Sequence, residues 1–487
     1  MTSKYARTSG PRSSASKRSR HASRRRPPAP PSARATQQPG RIRCLSGPRH
    51  VVNRIGELAN RSGPSPWGLL RYRTFRSYFL FSTCSNTGTW LQSTAQVVIA
   101  FRLTGDVSFV GLIVALQFAG VPLGSPLAAL LVNRYNSRRV LIATQVGSAV
   151  VAASMAGCYA AGVLGPLLLA VGAFLLGVGY SLALPVQVTL VPLLVPPDDA
   201  EPAMRMNSAS YNTGRALAPA LSVLIIATVG AASVFAINAA SFALFAAAIP
   251  GLKATSRKRD RAWNRLAAPE SPRLTDGIRV ALTNPRILLL LAFVAAITLA
   301  DDPIQVLAPS LASVMKLSHT WTGLFIAALG WGAIAGSLLP NSFGRPRSSG
   351  ACGHEAQAAS KRAAAWLLAL AGLVFLYGLG LWPMLSLAAA VGTGVAALVA
   401  GTAAQTPIIV VDHRAAASVG ALWAIAWAGT KPVASILDGW LASAIGIRPA
   451  VIFLVLPAAG LAACELWFPG AWRASIKKNV KLLATGP

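Results

Sequence analysis

Between Tyr78 and Phe468 the chain divides into twelve apolar segments, each about the 20 residues that an α-helix needs to cross hydrocarbon. They lie approximately at 78–101, 108–132, 140–161, 165–190, 206–229 and 231–250, then at 287–309, 321–340, 363–381, 383–410, 415–441 and 449–468. No other feature narrows the fold as much. Inside hydrocarbon every backbone N–H and C=O must find its partner within the protein, so repeated segments of this length fold as a bundle of spanning helices. The composition agrees. Of 487 residues, 54% are hydrophobic and only 12% are charged, where soluble domains carry about a quarter charged.

The 45 Lys and Arg outnumber the 14 acids and give a net charge of +31. Such an excess raises the prospect of a nucleic-acid partner, but its placement points to lipid. Eighteen basic residues precede residue 77 and nine more lie from Lys253 to Arg286, while the apolar segments are almost uncharged. Arg134, Arg138, Arg139, Arg205, Arg345, Arg347, Lys361, Arg362, Arg414, Arg473, Lys477, Lys478 and Lys481 fall on the same side as those clusters, leaving little beyond Arg102, Lys316 and Arg448 opposite. The positive-inside rule makes the basic side cytoplasmic. The expectation is a multi-pass protein of the cell inner (plasma) membrane with both termini in the cytoplasm. Residues 1–66 read as a disordered basic cytoplasmic tail, too poor in apolar residues to bury a core and lacking the apolar core of a secretory signal. An arm that touches anionic lipid is the alternative. A first six-helix half over 67–250, a cytoplasmic middle loop over 251–286, a second half over 287–470 and a basic cytoplasmic tail over 471–487 complete the division.

Other chemistry finds no foothold. The five cysteines (Cys44, Cys84, Cys158, Cys352 and Cys464) are scattered, and neither they nor the five histidines form a ligand spacing. No phosphate loop or nucleophile elbow is present, so no catalytic residue, metal site or bound cofactor is expected, and any driving force should be an ion gradient rather than ATP.

The two halves are related. "GLIVALQFAG" from Gly111 matches "GLFIAALGWG" from Gly323 at an offset of 212, and "GRALAPALSVL" around Pro219 matches "GTKPVASIL" around Pro432 at an offset of 213. Parallel repeats of this kind rock about a central cavity in alternating access. With "FRSYFLFSTCSNTGTWLQSTA" (75–95), "GSPLAALLVNRYNSRRVLIAT" (124–144) and "MNSASYNTGRALAPAL" (206–221), the chain resembles the major facilitator superfamily over about 67–470, and its first half resembles the drug/siderophore efflux branch that includes enterobactin and macrolide exporters. The resemblance implies an all-α membrane protein of twelve helices in two parallel-repeat halves, a small-molecule substrate and a proton gradient in place of a cofactor. Two positions depart from the family pattern. Asn133 replaces the aspartate that usually opens the gate loop between spans 2 and 3, where Arg134, Arg138 and Arg139 supply the basic run, and Ala218-Pro219 stands where antiporter relatives have Gly-Pro.

Polar groups inside the spans are the candidate site. Ser85, Thr89, Gln92 and Gln96 fall within about 60° of one another on a helix and form one polar stripe, to line a cavity or to glue helices by hydrogen bonds. Tyr180 and Gln187 in the fourth span and Asn212 in the fifth join that list. Arg215 lies about 13 Å into the fifth span, Asp301 about 21 Å into the seventh and Lys431 about 24 Å into the eleventh. Ionisable groups at such depths mark function by default. Asp301 or Asp302 is expected to pair with Lys431, and one of the two carboxyls to bind a proton. In the competing reading Asp302 caps a restarted helix with Pro303 at its first position. Asp438, Arg102 and Glu465 are read as interfacial, and Trp423 with Trp427 as packing ahead of a substrate shelf. "GVPLG" (120–124) and "GAIAG" (332–336) carry the small-residue spacing of close helix packing.

The expectation is a monomeric carrier that exports a siderophore or an amphipathic drug-like compound in exchange for protons. A metabolite importer of the same fold, and a non-transporting membrane scaffold or sensor that uses the basic tail, are the alternatives.

Overall fold

Glycine, proline and side-chain caps set the helix ends. The computed structural model describes residues 66–254, 281–282, 285–338, 352–411, 422–423 and 425–467, and every regular element among them is helical. Helix α1 (Arg73–Thr104) stops where Gly105 turns left-handed. Asp106 then accepts a hydrogen bond from the Ser108 amide and starts α2 (Val107–Phe118). After a break at Gly120 the chain continues as α3 (Val121–Tyr135). Asn136, at a φ of 69°, caps α4 (Ser137–Ala160) by accepting from the Arg139 amide. There follow α5 (Pro166–Leu190), α6 (Ala200–Thr228) and α7 (Ala231–Ala248). The later chain forms α8 (Pro285–Asp301), α9 (Pro303–Val314), α10 (Thr320–Leu338) and α11 (Cys352–Leu379). It ends in α12 (Pro383–Val411), α13 (Lys431–Ile445) and α14 (Ile447–Trp467).

Among the described residues seven stretches are long and apolar enough to cross a membrane, one of them running through both α8 and α9. The segment at 78–101 falls within α1 and that at 206–229 within α6 but for its last residue; these helices, of 32 and 29 residues, carry more polar side chains. The surface is apolar. Leu130, Leu167, Leu224 and Phe453 are all more than half exposed, an arrangement suited to hydrocarbon and costly in water. Residues 1–65 and 471–487, Arg414 and most of the 251–286 loop lie outside the described residues.

Two proline-linked breaks shape the centre. Pro303 has no N–H to offer and its ring crowds the preceding turn, so α8 ends and α9 begins there. Near the start of α13 the chain makes a π-turn at Ile425–Gly429, followed by Lys431-Pro432. The Thr298 hydroxyl on α8 donates to the Trp427 carbonyl at 3.0 Å and fixes one break against the other.

Glycine seams hold the bundle. Gly120 and Gly124 press α3 onto α5 near Ser181, and Gly332 and Gly336 press α10 onto α12 near Val391 and Val395. Gly111 of α2 meets Ser435 and Gly439 of α13. Gly323 of α10 meets the Pro219 carbonyl of α6, and the Trp331 indole donates to the Ala216 carbonyl at 2.8 Å. The α2–α13 and α6–α10 seams join the earlier helices to the later ones.

Candidate functional site

The polar side chains of the helix centres converge on one cavity of about 540 Å³. Along α1 its lining ends at Gln96, and the next residues, Val97, Val98, Ile99 and Ala100, are almost fully buried. In the other direction it runs past Gln187, Met204 and Asn207, toward the end of the bundle that carries Arg134, Arg138 and Arg139.

Ser85, Thr89, Gln92 and Gln96 all line the cavity along α1, with Tyr180 and Gln187 from α5 and Asn212 from α6. The two α1 amides, Gln92 and Gln96, are fixed by partners on other helices. Asn238 of α7 donates to Gln92 Oε1 at 2.6 Å, Gln117 of α2 donates to Gln96 Oε1 at 2.8 Å, and the Ser93 hydroxyl donates to Gln117 at 2.7 Å. Gln92 and Gln96 each turn an NH2 toward the Met155 sulfur of α4. The network holds Gln92, Gln96, Gln117 and Asn238 and makes that part of the cavity wall a rigid polar surface. Gln117 escapes a sequence reading because it is a single polar residue in the otherwise apolar stretch 109–118 of α2, and Ser93 because it falls outside the stripe of Ser85, Thr89, Gln92 and Gln96.

The same cavity wall carries charges. Arg215 of α6 lies 3.5 Å from Asp301 of α8 and 5.8 Å over the Trp90 ring. Lys431 lies 2.7 Å from Asp302 and 5.2 Å over the Phe118 ring, and the Ser435 hydroxyl donates to the other oxygen of Asp302. Lys431 at the N-terminus of α13 opposes the helix dipole, whereas Asp302 at the N-terminus of α9 suits it. Their pairing offsets the first conflict. Asp301 therefore takes Arg215 and Asp302 takes Lys431.

Several expectations need correction. Asp302 makes no side-chain cap, because its backbone is already helical and its carboxylate is turned to Lys431 and Ser435. Asp438 is not interfacial but fully buried, since α13 continues to Ile445, past the Leu441 at which the sequence pattern ends the span. Glu465 is buried too and accepts from the Ser360 hydroxyl of α11. Trp423 and Trp427 stack with centroids 5.9 Å apart on the cavity wall. Arg102 is exposed near the end of α1.

In the gate loop Arg134 covers the Tyr135 ring at 5.5 Å, and Arg138 donates to the Leu252 carbonyl at 2.7 Å. Arg139 is exposed, and the side chain of Asn133 lies outside the described ones. At the same end, the Tyr72 hydroxyl donates to Asp199 at 2.6 Å. At the opposite end Asp106 is held below the usual carboxylate range by hydrogen bonds from the Ser443 hydroxyl of α13 and from Ser108. Among the described residues no group of His, Cys, Asp and Glu is arranged to hold a metal ion.

Residues 78–352, more than half of the chain, match the family model of the Major Facilitator Superfamily. Solved structures similar to the chain include a bacterial homologue of the human lysosomal transporter Spinster, inward-facing and unoccupied, at 15% identity and a TM-score of 0.58, covering 85% of this chain and 95% of that one. A D-xylose–proton symporter aligns at 15% identity and a TM-score of 0.58 over 80% of this chain and 97% of its own. The nucleoside transporter NupG aligns at 14% identity and a TM-score of 0.59 over 80% of this chain and 98% of its own. No protein of curated function matches by sequence.

Proposed function

The chain belongs to the Major Facilitator Superfamily, and on that premise we propose that it exports a small organic molecule across the inner membrane in exchange for protons. It does so as a monomer of twelve spanning helices in two six-helix halves, with both termini and the basic end of the bundle in the cytoplasm. The substrate is a siderophore or an amphipathic drug-like compound. One observation carries the reading: a cavity of about 540 Å³ whose wall includes the Arg215–Asp301 pair, with Asp302–Lys431 directly behind it.

Buried ion pairs offset their desolvation only when both partners stay charged and close. Protonating Asp301 or Asp302 would free Arg215 or Lys431, and the freed cation would then favour a different helix arrangement. Proton binding and cavity access are thereby linked. The equivalent glycine seams of α3–α5 and α10–α12 support the two-half organisation. The basic clusters support the orientation, and the likeness of the first half to efflux carriers supports the direction.

The test compares small molecules inside cells and in the medium, by mass spectrometry, for a deletion strain and its complemented counterpart, with and without iron. A compound that accumulates inside the deletion strain and disappears from its medium is the expected result. A compound left unused in the medium makes the protein an importer.

A further inference from the structure

The buried charge cluster contains one carboxyl more than its pairs account for. Asp438 follows Lys431 by seven residues and Ser435 by three, so the three share one face of α13. It has no exposed surface, and neither of its carboxylate oxygens has a hydrogen-bond partner. The charges that act on it are Asp302, Lys431 and Asp301, with Arg215 beyond them, bonded to Asp301.

Among the described side chains, the helices packed on α13 bring no further cation to it. Neither α2 nor α9 carries an ionisable side chain. On α14, Arg448 is exposed and donates to the Leu379 carbonyl, while Glu465 is engaged with Ser360 and Cys464 is exposed. Asp106, at the start of α2, is exposed and held by Ser443. Among the described residues two cations thus face three carboxyls within the cluster, and both cations already have a carboxylate partner.

An ionised carboxylate buried without a partner is costly, and a group so placed becomes neutral instead. We propose that Asp438 carries a bound proton in this conformation and is the site at which the coupling proton is loaded, enclosed beneath the α2–α13 seam. The proposal rests on the proton-exchange reading above and adds to it a residue outside the two ion pairs. The seam supplies the route. Gly439, the next residue, packs so closely on α2 that a Cβ there would stand 2.8 Å from the Val107 carbonyl oxygen. When α2 and α13 part, Asp438 meets exterior water. A hydronium ion then gives up its proton, its O–H bond breaks, an O–H bond forms on one carboxylate oxygen, and water is left. Closure carries the neutral acid back into the protein.

Infrared spectroscopy of the purified full chain in lipid, near neutral pH, reads this directly through the C=O stretch of protonated carboxyl groups, identified by its shift in heavy water. The wild type is expected to show such a band, Asp438→Asn to lose it, and Asp438→Glu to keep it at a shifted frequency. Should the asparagine variant fail to fold, the glutamate shift carries the test. An unchanged band in both variants overturns the proposal. So does loss of the wild-type band on exchanging potassium for sodium, which would make the site a sodium site. Reconstituted vesicles separate this proposal from the broader one: a band assigned to Asp438 without proton-driven transport would leave the bound proton standing and remove proton exchange.

Discussion

The pairing of Asp302 with Lys431 is worth more to the protein than its distance alone conveys. Asp302 is fully buried, so removing its cation leaves a lone anion in low dielectric, a change that costs about 3–5 kcal/mol where it has been measured in other proteins. Lys431→Met is therefore expected to lower the thermal midpoint of the purified protein sharply. Lys431→Met with Asp302→Leu, which removes both charges together, should recover most of that loss while proton exchange stays abolished. If the double variant is no more stable than the single one, the pair is not what holds α9 to α13. The approximate depth of these charges was readable from the sequence, because a helix rises 1.5 Å per residue and residues at one depth can meet. Which aspartate meets which cation was not, since that depends on the turn of the chain at Pro303. Asp438 stayed hidden for a related reason. Its burial follows from the extra turn of α13 and from α2 lying across it, and neither has a local signal.

Among the helices, close glycine contacts divide into those among the earlier or among the later helices and those that join the two sets, and substitutions should separate them. Gly332 and Gly394 bring α10 and α12 together among the later helices, where a Cβ on either would strike the partner backbone. Such a contact persists in every state of a rocking bundle, so Gly332→Ala is expected to lower thermal stability and expression. Gly439 belongs to the α2–α13 seam, which opens and closes in the proposed cycle. Gly439→Ala should leave the protein folded and hold the seam apart, read as faster thiol labelling from outside at a cysteine introduced at the buried Val110. Equal destabilisation by both substitutions would mean that the seam never opens. The hydropathy pattern marked the helices because hydrocarbon leaves the backbone no alternative, and "GVPLG" and "GAIAG" marked two of the close contacts. Gly111 and Gly439 lie on different helices with no shared motif, and only the assembled bundle brings them together. The π-turn at Ile425–Gly429 likewise follows from packing on Thr298 and has no composition of its own.

For the molecule as a whole, the end opposite the basic loops should respond to the pH of the water that bathes it. Two groups there titrate differently when the seam is shut. Asp106 is held low by the Ser443 hydroxyl and the Ser108 amide, against a smaller opposing effect of partial burial. His319, between α9 and α10, is held low by partial burial and then by the Arg102 guanidinium. In both cases the shut form binds its proton less readily than the open form. The stabilisation they give to the shut state is complete above the ordinary value of each group and is lost as pH falls through the depressed one. Acidifying this side must therefore favour opening, with the histidine acting first and the aspartate at lower pH. Such a bias suits a carrier that loads protons from outside, because the gradient that drives it also opens the gate through which they enter. The expected outcome is that Val110→Cys, in a background without the five native cysteines, is labelled from outside faster as the medium is made acid. His319→Gln should remove the higher step and Ser443→Ala should weaken the lower one, by freeing Asp106 in both states. Labelling that slows in acid would reverse the sign and detach the gate from the proton gradient.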